Sequence, residues 1–159
     1  MGRDDQPLEE TGLGVRSTVH VRGHPIHPIL IPFPIAFLVG AAVTDVVFVL
    51  SDRAFWAEAS AWLLIAGLLT GFAAASIGLV DFVTISQARR HLSGWIHLVG
   101  NLVVLVVALV NWISREGDPS SFVEPWGLTL SLVTAILLGV TGWTGGELSY
   151  RHRIGVFGS

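Results

Sequence analysis

Four long apolar runs dominate the chain, with polar stretches between them. The first extends from about Ile29 to Leu50 and is interrupted only by Asp45. The second runs from about Ala57 to Val80, with Glu58 at its entry and Asp81 at its end. The third, from Trp95 to Ile113, carries His97, Asn101 and Asn111, and the fourth runs from Trp126 to Thr144. A hydrocarbon core about 30 Å thick is crossed by about 20 apolar residues in helical form, so each run predicts a transmembrane helix. The connectors SDRAF, DFVTISQARRHLSG and SREGDPSSFVEP hold charges and helix breakers. Trp56, Trp95, Trp112, Trp126 and Trp143 fall near span ends, where amphipathic rings anchor at the interface. The predicted fold is all-α, an up-and-down transmembrane four-helix bundle over residues 24–156. A flexible polar tail is expected over 1–23, and 157–159 form a short C-terminal end.

The tail has no apolar stretch of the kind a cleaved signal peptide carries, so it is not expected to be one. It leads into HPIHPILIPFP. Pro25, Pro28, Pro32 and Pro34 are tolerable at a helix start, where backbone N–H groups lack partners within the helix. Regular helix is expected to begin between Pro28 and Pro34. Small residues recur at helical spacing: Gly67, Gly71, Ala75 and Gly78 in the second span, and Ala36, Gly40 and Thr44 in the first. Gly142, Gly145 and Gly146 end the fourth. Such stripes let helices approach closely in lipid, within one bundle or between two copies in a homodimer.

Composition agrees with the spans. Of 159 residues, 52% are hydrophobic and only 13% charged, against about 25% charged in a soluble domain. The net charge of -3 gives no reason to expect a nucleic-acid partner. Cysteine is absent, which removes disulfides, thiolate nucleophiles and iron–sulfur ligation. No phosphate loop, nucleophile elbow, H-E-x-x-H or dinucleotide fingerprint is present.

All nine basic residues are arginines, and they are unevenly placed. Four spans put both termini on one side, with Arg3, Arg16, Arg22, Arg89, Arg90, Arg151 and Arg153. The other side holds Arg53 and Arg115. By the positive-inside rule the termini are expected in the cytoplasm, the spans lying in the cell membrane.

The same arithmetic collects all six histidines at the terminal side. His20, His24 and His27 open the first span, His91 lies in the second connector, His97 about one turn inside the third span, and His152 after the fourth. Asp81, Glu147 and Tyr150 lie at that end too. Three functional readings follow. A b-type haem takes axial imidazoles from different helices, and the diagonal pair is His27 or His24 opposite His97, with His152 a further candidate. A transition-metal site draws on His27, His97 and Asp81 with neighbouring histidines. Proton or solute handling uses groups that titrate near neutral pH. The blander reading is architectural: Asp81 bonds N–H groups of the second connector, and His97 bonds a backbone carbonyl.

A second polar feature lies deeper. His97, Asn101, Val104, Ala108 and Asn111 share one helical face, which is expected to point into the bundle. Asp45 lies toward the other end, like Asn111. It is expected to be buried against a donor, with Asn111, Thr44 or Arg53 as candidates and Arg53 the partner if Asp45 is ionised. A relay from Asp45 to the histidine end is the sharper alternative to a plain interhelical hydrogen bond.

GHPIHPILIPFPIAFLVGAAVTD, GLVDF, HLVGN and GGELSYRHRIGV together resemble the bacterial membrane family catalogued as domain of unknown function 2231. The resemblance covers about Gly23 to Val156. It implies a four-span membrane domain, with electron-transfer modules or another redox protein as partners in some members and no established activity. The matching positions include His24, His27, Pro28, Asp45, Asp81, His97, Asn101, Gly146, Tyr150 and His152. Arg153 stands where the closing motif suggests Gly, and it adds a charge beside His152.

Overall fold

The computed structural model describes residues 14–156. Residues 1–13, with Arg3 and most of the polar tail, and residues 157–159 lie outside that range. A short antiparallel pairing comes first, β1 (His20–Val21) on β2 (His24–Pro25), closed by a turn at Arg22 and Gly23. Helices α1 (Ile26–Leu30), α2 (Pro32–Ser51) and α3 (Ala54–Thr84) follow. Then come α4 (Ser86–Arg90), α5 (Leu92–Ile113), α6 (Pro119–Phe122) and α7 (Leu128–Gly146). Wider π-type turns extend α7 at both ends, Val123–Gly127 before it and Glu147–Arg151 after it.

Four segments are long and apolar enough to cross a membrane: Ile26–Ser51, Ala54–Thr84, Leu92–Ile113 and Pro119–Arg151. Each outruns its sequence-based estimate, because helix continues through interfacial polar residues that hydropathy alone excludes. The first span opens with the short helix α1 at Ile26, and its regular helix α2 begins at Pro32, within the expected Pro28–Pro34 interval. Its prolines fall in the opening turns, where missing N–H groups cost little.

Around the bundle the packing order is α2, α3, α5, α7, so α2 lies diagonally opposite α5, and α3 opposite α7. The polarity is that of a membrane protein. Val43, Trp62, Leu69, Leu102, Val106 and Ile136 face outward, which only an apolar surround makes favourable. Inside, Leu38, Leu64, Leu68, Val104, Leu105 and Ala108 form the central core. Small residues admit that packing. A Cβ added to Gly67 would come 2.6 Å from Leu38 Cδ2, and one on Gly71 2.7 Å from Leu105 Cδ2. The stripe in the second span therefore serves packing within the bundle.

Residues 14–23 differ from the expected flexible tail. Val15 bridges to Ile154 near the C-terminus, and Ser17 is buried. The stretch is a strap held across the histidine end.

Candidate functional site

The bundle carries two polar layers separated by the apolar core. At the terminal end His27, on the short α1 that leads into α2, and His97 of α5 approach each other, with ring centroids 6.1 Å apart and planes at 89°. Each ring is fixed by its Nδ1. His27 Nδ1 lies 2.9 Å from the carbonyl oxygen of Ala74 on α3, and His97 Nδ1 lies 2.8 Å from that of Thr141 on α7. A carbonyl oxygen can only accept, so Nδ1 is the protonated nitrogen of both rings. In the neutral ring Nε2 then presents its lone pair. The same bond that orients the ring leaves its other nitrogen chemically fit to bind a metal, which is the usual support for a ligating histidine. Asn101, one turn along α5, donates to the His97 carbonyl at 2.7 Å.

The other histidines are elsewhere. His24 lies on β2, directly after the strap, and His152 stacks on His91 with centroids 3.8 Å apart. Of the four candidate haem-binding histidines, the structure pairs His27 with His97. Among the described residues no three His, Asp or Glu side chains group as metal ligands. The Asp81 carboxylate is engaged with the strap, while only the Asp81 backbone carbonyl bonds the second connector, at Thr84 and Ile85. Its Oδ1 accepts from the N–H groups of Thr18 (2.7 Å) and Val19 (3.1 Å), and its Oδ2 from Ser17 Oγ (2.7 Å). Asp81 thereby fixes the segment that runs directly into His27.

At the opposite end Asp45 is wholly buried, as expected, but its cationic partner is Arg115. Arg115 Nη1 donates to Asp45 Oδ1 at 2.8 Å and Nη2 to Oδ2 at 2.7 Å. Of the three expected donors, Thr44 bonds back to Gly40 and Ala41 of its own helix, and Arg53 is exposed where α3 begins. Asn111 acts at one remove. Its Oδ1 accepts from Arg115 Nε at 3.0 Å, and its Nδ2 donates to Gly127 O and Ser131 Oγ. Ser131 donates to Asp45 Oδ2 at 2.6 Å, and Ser60 accepts from Arg115 Nη1 at 3.0 Å. Arg115 follows the end of α5 and folds back over Asn111, one turn earlier on the same helical face. That i, i+4 relation was the available signal. Assigning Arg115 to a solvated connector concealed it.

No buried side-chain nitrogen or oxygen among the described residues lacks a partner. The charge pair is therefore fully compensated, the condition under which ions persist in a low-dielectric interior. Leu38, Leu64, Leu68, Val104 and Leu105 fill the layer between it and the histidines. A polar relay from Asp45 to the histidine end would have to cross that apolar layer.

Neither the curated proteins nor the solved structures offer a match. A family model described as "Predicted membrane protein (DUF2231)" matches residues 23–158, which takes in both polar layers and all four spans. By that match, over most of its length, the chain belongs to the DUF2231 family of predicted membrane proteins.

Proposed function

We propose that this integral membrane protein is an electron-transfer module in which His27 and His97 hold a b-type haem. The observation that carries the reading is the spacing of the two rings. Two imidazoles ligating one ion through Nε2 at about 2 Å each would have centroids about 6 Å apart. The observed separation is 6.1 Å. The donor chemistry fits as well: both rings are committed at Nδ1, and they come from the first and third spans of one bundle.

When bound, such a group supplies reversible one-electron chemistry within the bilayer. The residues of the chain do the rest. The Ala74 and Thr141 carbonyls hold the rings in their ligating tautomer, and Asp81 fixes the strap leading to His27. The apolar core below keeps water and ions from the far side. With the arginines concentrated at this end, the positive-inside rule puts it in the cytoplasm. Electrons would then pass between a quinone in the membrane and a redox partner protein there.

The test is reconstitution. Detergent-purified protein titrated with haemin is expected to develop a Soret band saturating at one haem per chain. His97→Ala and His27→Ala are each expected to abolish that band while the protein still inserts. A wild-type protein that takes up no haem in this titration, or variants that saturate like wild type, would overturn the reading.

A further inference from the structure

The two histidines are held in the same way, by the two halves of the chain. His27 opens the first helix of one hairpin and rests on the second helix of that hairpin. His97 opens the first helix of the other hairpin and rests on its second helix. In both cases the accepting carbonyl lies one turn before a glycine: Ala74 before Gly78, and Thr141 before Gly145. Residues one turn apart lie on one face of a helix. The ring that bonds the carbonyl therefore covers the glycine.

The fit there is close. A Cβ on Gly78 would lie 2.8 Å from His27 Cε1 and 3.0 Å from its Nδ1. A Cβ on Gly145 would lie 2.7 Å from His97 Cε1 and 2.8 Å from its Nδ1. Carbon atoms in ordinary contact stay about 3.5 Å apart or more, so a methyl group at either place must displace the ring. Gly142, on the same helix as Gly145, has nothing within 4 Å of its Cβ position.

The equivalence reaches the far end of the bundle. His27 and His97 are 70 residues apart, and so are Asp45 and Arg115. There the serines cross over: Ser131 of the second hairpin bonds Asp45 of the first, and Ser60 of the first bonds Arg115 of the second. The two hairpins thus make matching contacts at both ends of the bundle, with the two histidine rings 6.1 Å apart between them.

We infer that Gly78 and Gly145 are paired positioning residues, each seating one ligand histidine so that the two hairpins present their Nε2 atoms to a shared occupant on equal terms. The inference rests on the haem reading above and names what sets its geometry. Neither glycine touches the ligand. Each acts through a ring, fixing how far that ring advances toward the other and at what rotation.

The test compares wild type, Gly78→Ala, Gly145→Ala and Gly142→Ala, each loaded with haemin. Wild type is expected to give the strongly anisotropic low-spin EPR signal that perpendicular axial imidazoles produce, as the 89° interplanar angle requires. Both seat variants are expected to lose haem affinity on the order of tenfold, the scale of lost support for a ligating histidine. Their EPR signals are expected to shift toward the rhombic type. Gly142→Ala is expected to keep wild-type affinity and signal. Wild-type protein that binds no haem overturns the haem reading itself. Haem-replete wild type alongside seat variants of unchanged affinity and signal overturns the seating alone. If a seat variant fails to insert, imidazole nitrogen shifts of haem-free wild type decide. Nδ1-protonated rings for both histidines are expected, and Nε2-protonated rings would refute the seats.

Discussion

Asp45 and Arg115 form a bidentate ion pair between the first and third spans, at 2.8 and 2.7 Å, with both side chains withdrawn from any surface. Two serines and Asn111 complete the shell, so one cluster joins residues from all four spans. The bundle is pinned at this end by charge and at the other by two histidine rings on backbone carbonyls.

Removing one member of the pair leaves a buried ion without compensation, which costs about 3–5 kcal/mol. Asp45→Ala and Arg115→Ala are each expected to lower the free energy of unfolding in detergent by that amount, with a matching fall in the unfolding midpoint. The double variant Asp45→Leu with Arg115→Met restores apolar volume without stranding a charge and is expected to recover most of the loss. Arg53→Ala, at an exposed position, is expected to change little. Equal midpoints for Arg53→Ala and Arg115→Ala would refute the assignment.

Asp81 accepts three hydrogen bonds from the strap. Bonds to a charged group contribute about 1.5–3 kcal/mol. Asp81→Ala is therefore expected to release residues 17–19 while leaving the spans intact. Hydrogen exchange reads this directly: faster exchange at Thr18 and Val19, with unchanged protection in the middle of α3 and α5. Uniform loosening of the whole bundle would mean that Asp81 serves the fold as a whole rather than the strap.

Gly67 receives Leu38 at the centre of the bundle. Overpacking of a filled core costs about 1–3 kcal/mol. Gly67→Val is expected to lower the free energy of unfolding by at least that, seen as a lower unfolding midpoint. Gly139→Ala, at a position where nothing lies within 4 Å, is expected to be neutral or stabilising, since alanine is the better helix former. A stable Gly67→Val protein would show that α2 and α3 can separate more easily than their contact implies.

The spans were legible because the bilayer imposes a length that few other structures demand, and each run meets it. That His27 or His24 would stand opposite His97 was legible as well, since an up-and-down bundle puts its first and third helices on a diagonal. The choice between the two was not, because it depends on where the Pro-rich entry turns into helix. Arg115 was not. Hydropathy places it in a connector, and only the inward reach of its side chain over Asn111 returns it to the core. The strap was hidden for a similar reason. Ser17, Thr18 and Val19 are ordinary loop residues, ordered by a carboxylate more than 60 positions away. Local pattern cannot report such long-range polar contacts.

The oxidised and dithionite-reduced absorption spectra of protein purified from haem-replete cells test the central claim most directly. The account predicts a Soret band that shifts on reduction, with sharp α and β bands of a six-coordinate bis-histidine haem in wild type and none in His97→Ala. A colourless wild-type protein, or a haem spectrum that survives the loss of His97, would contradict it.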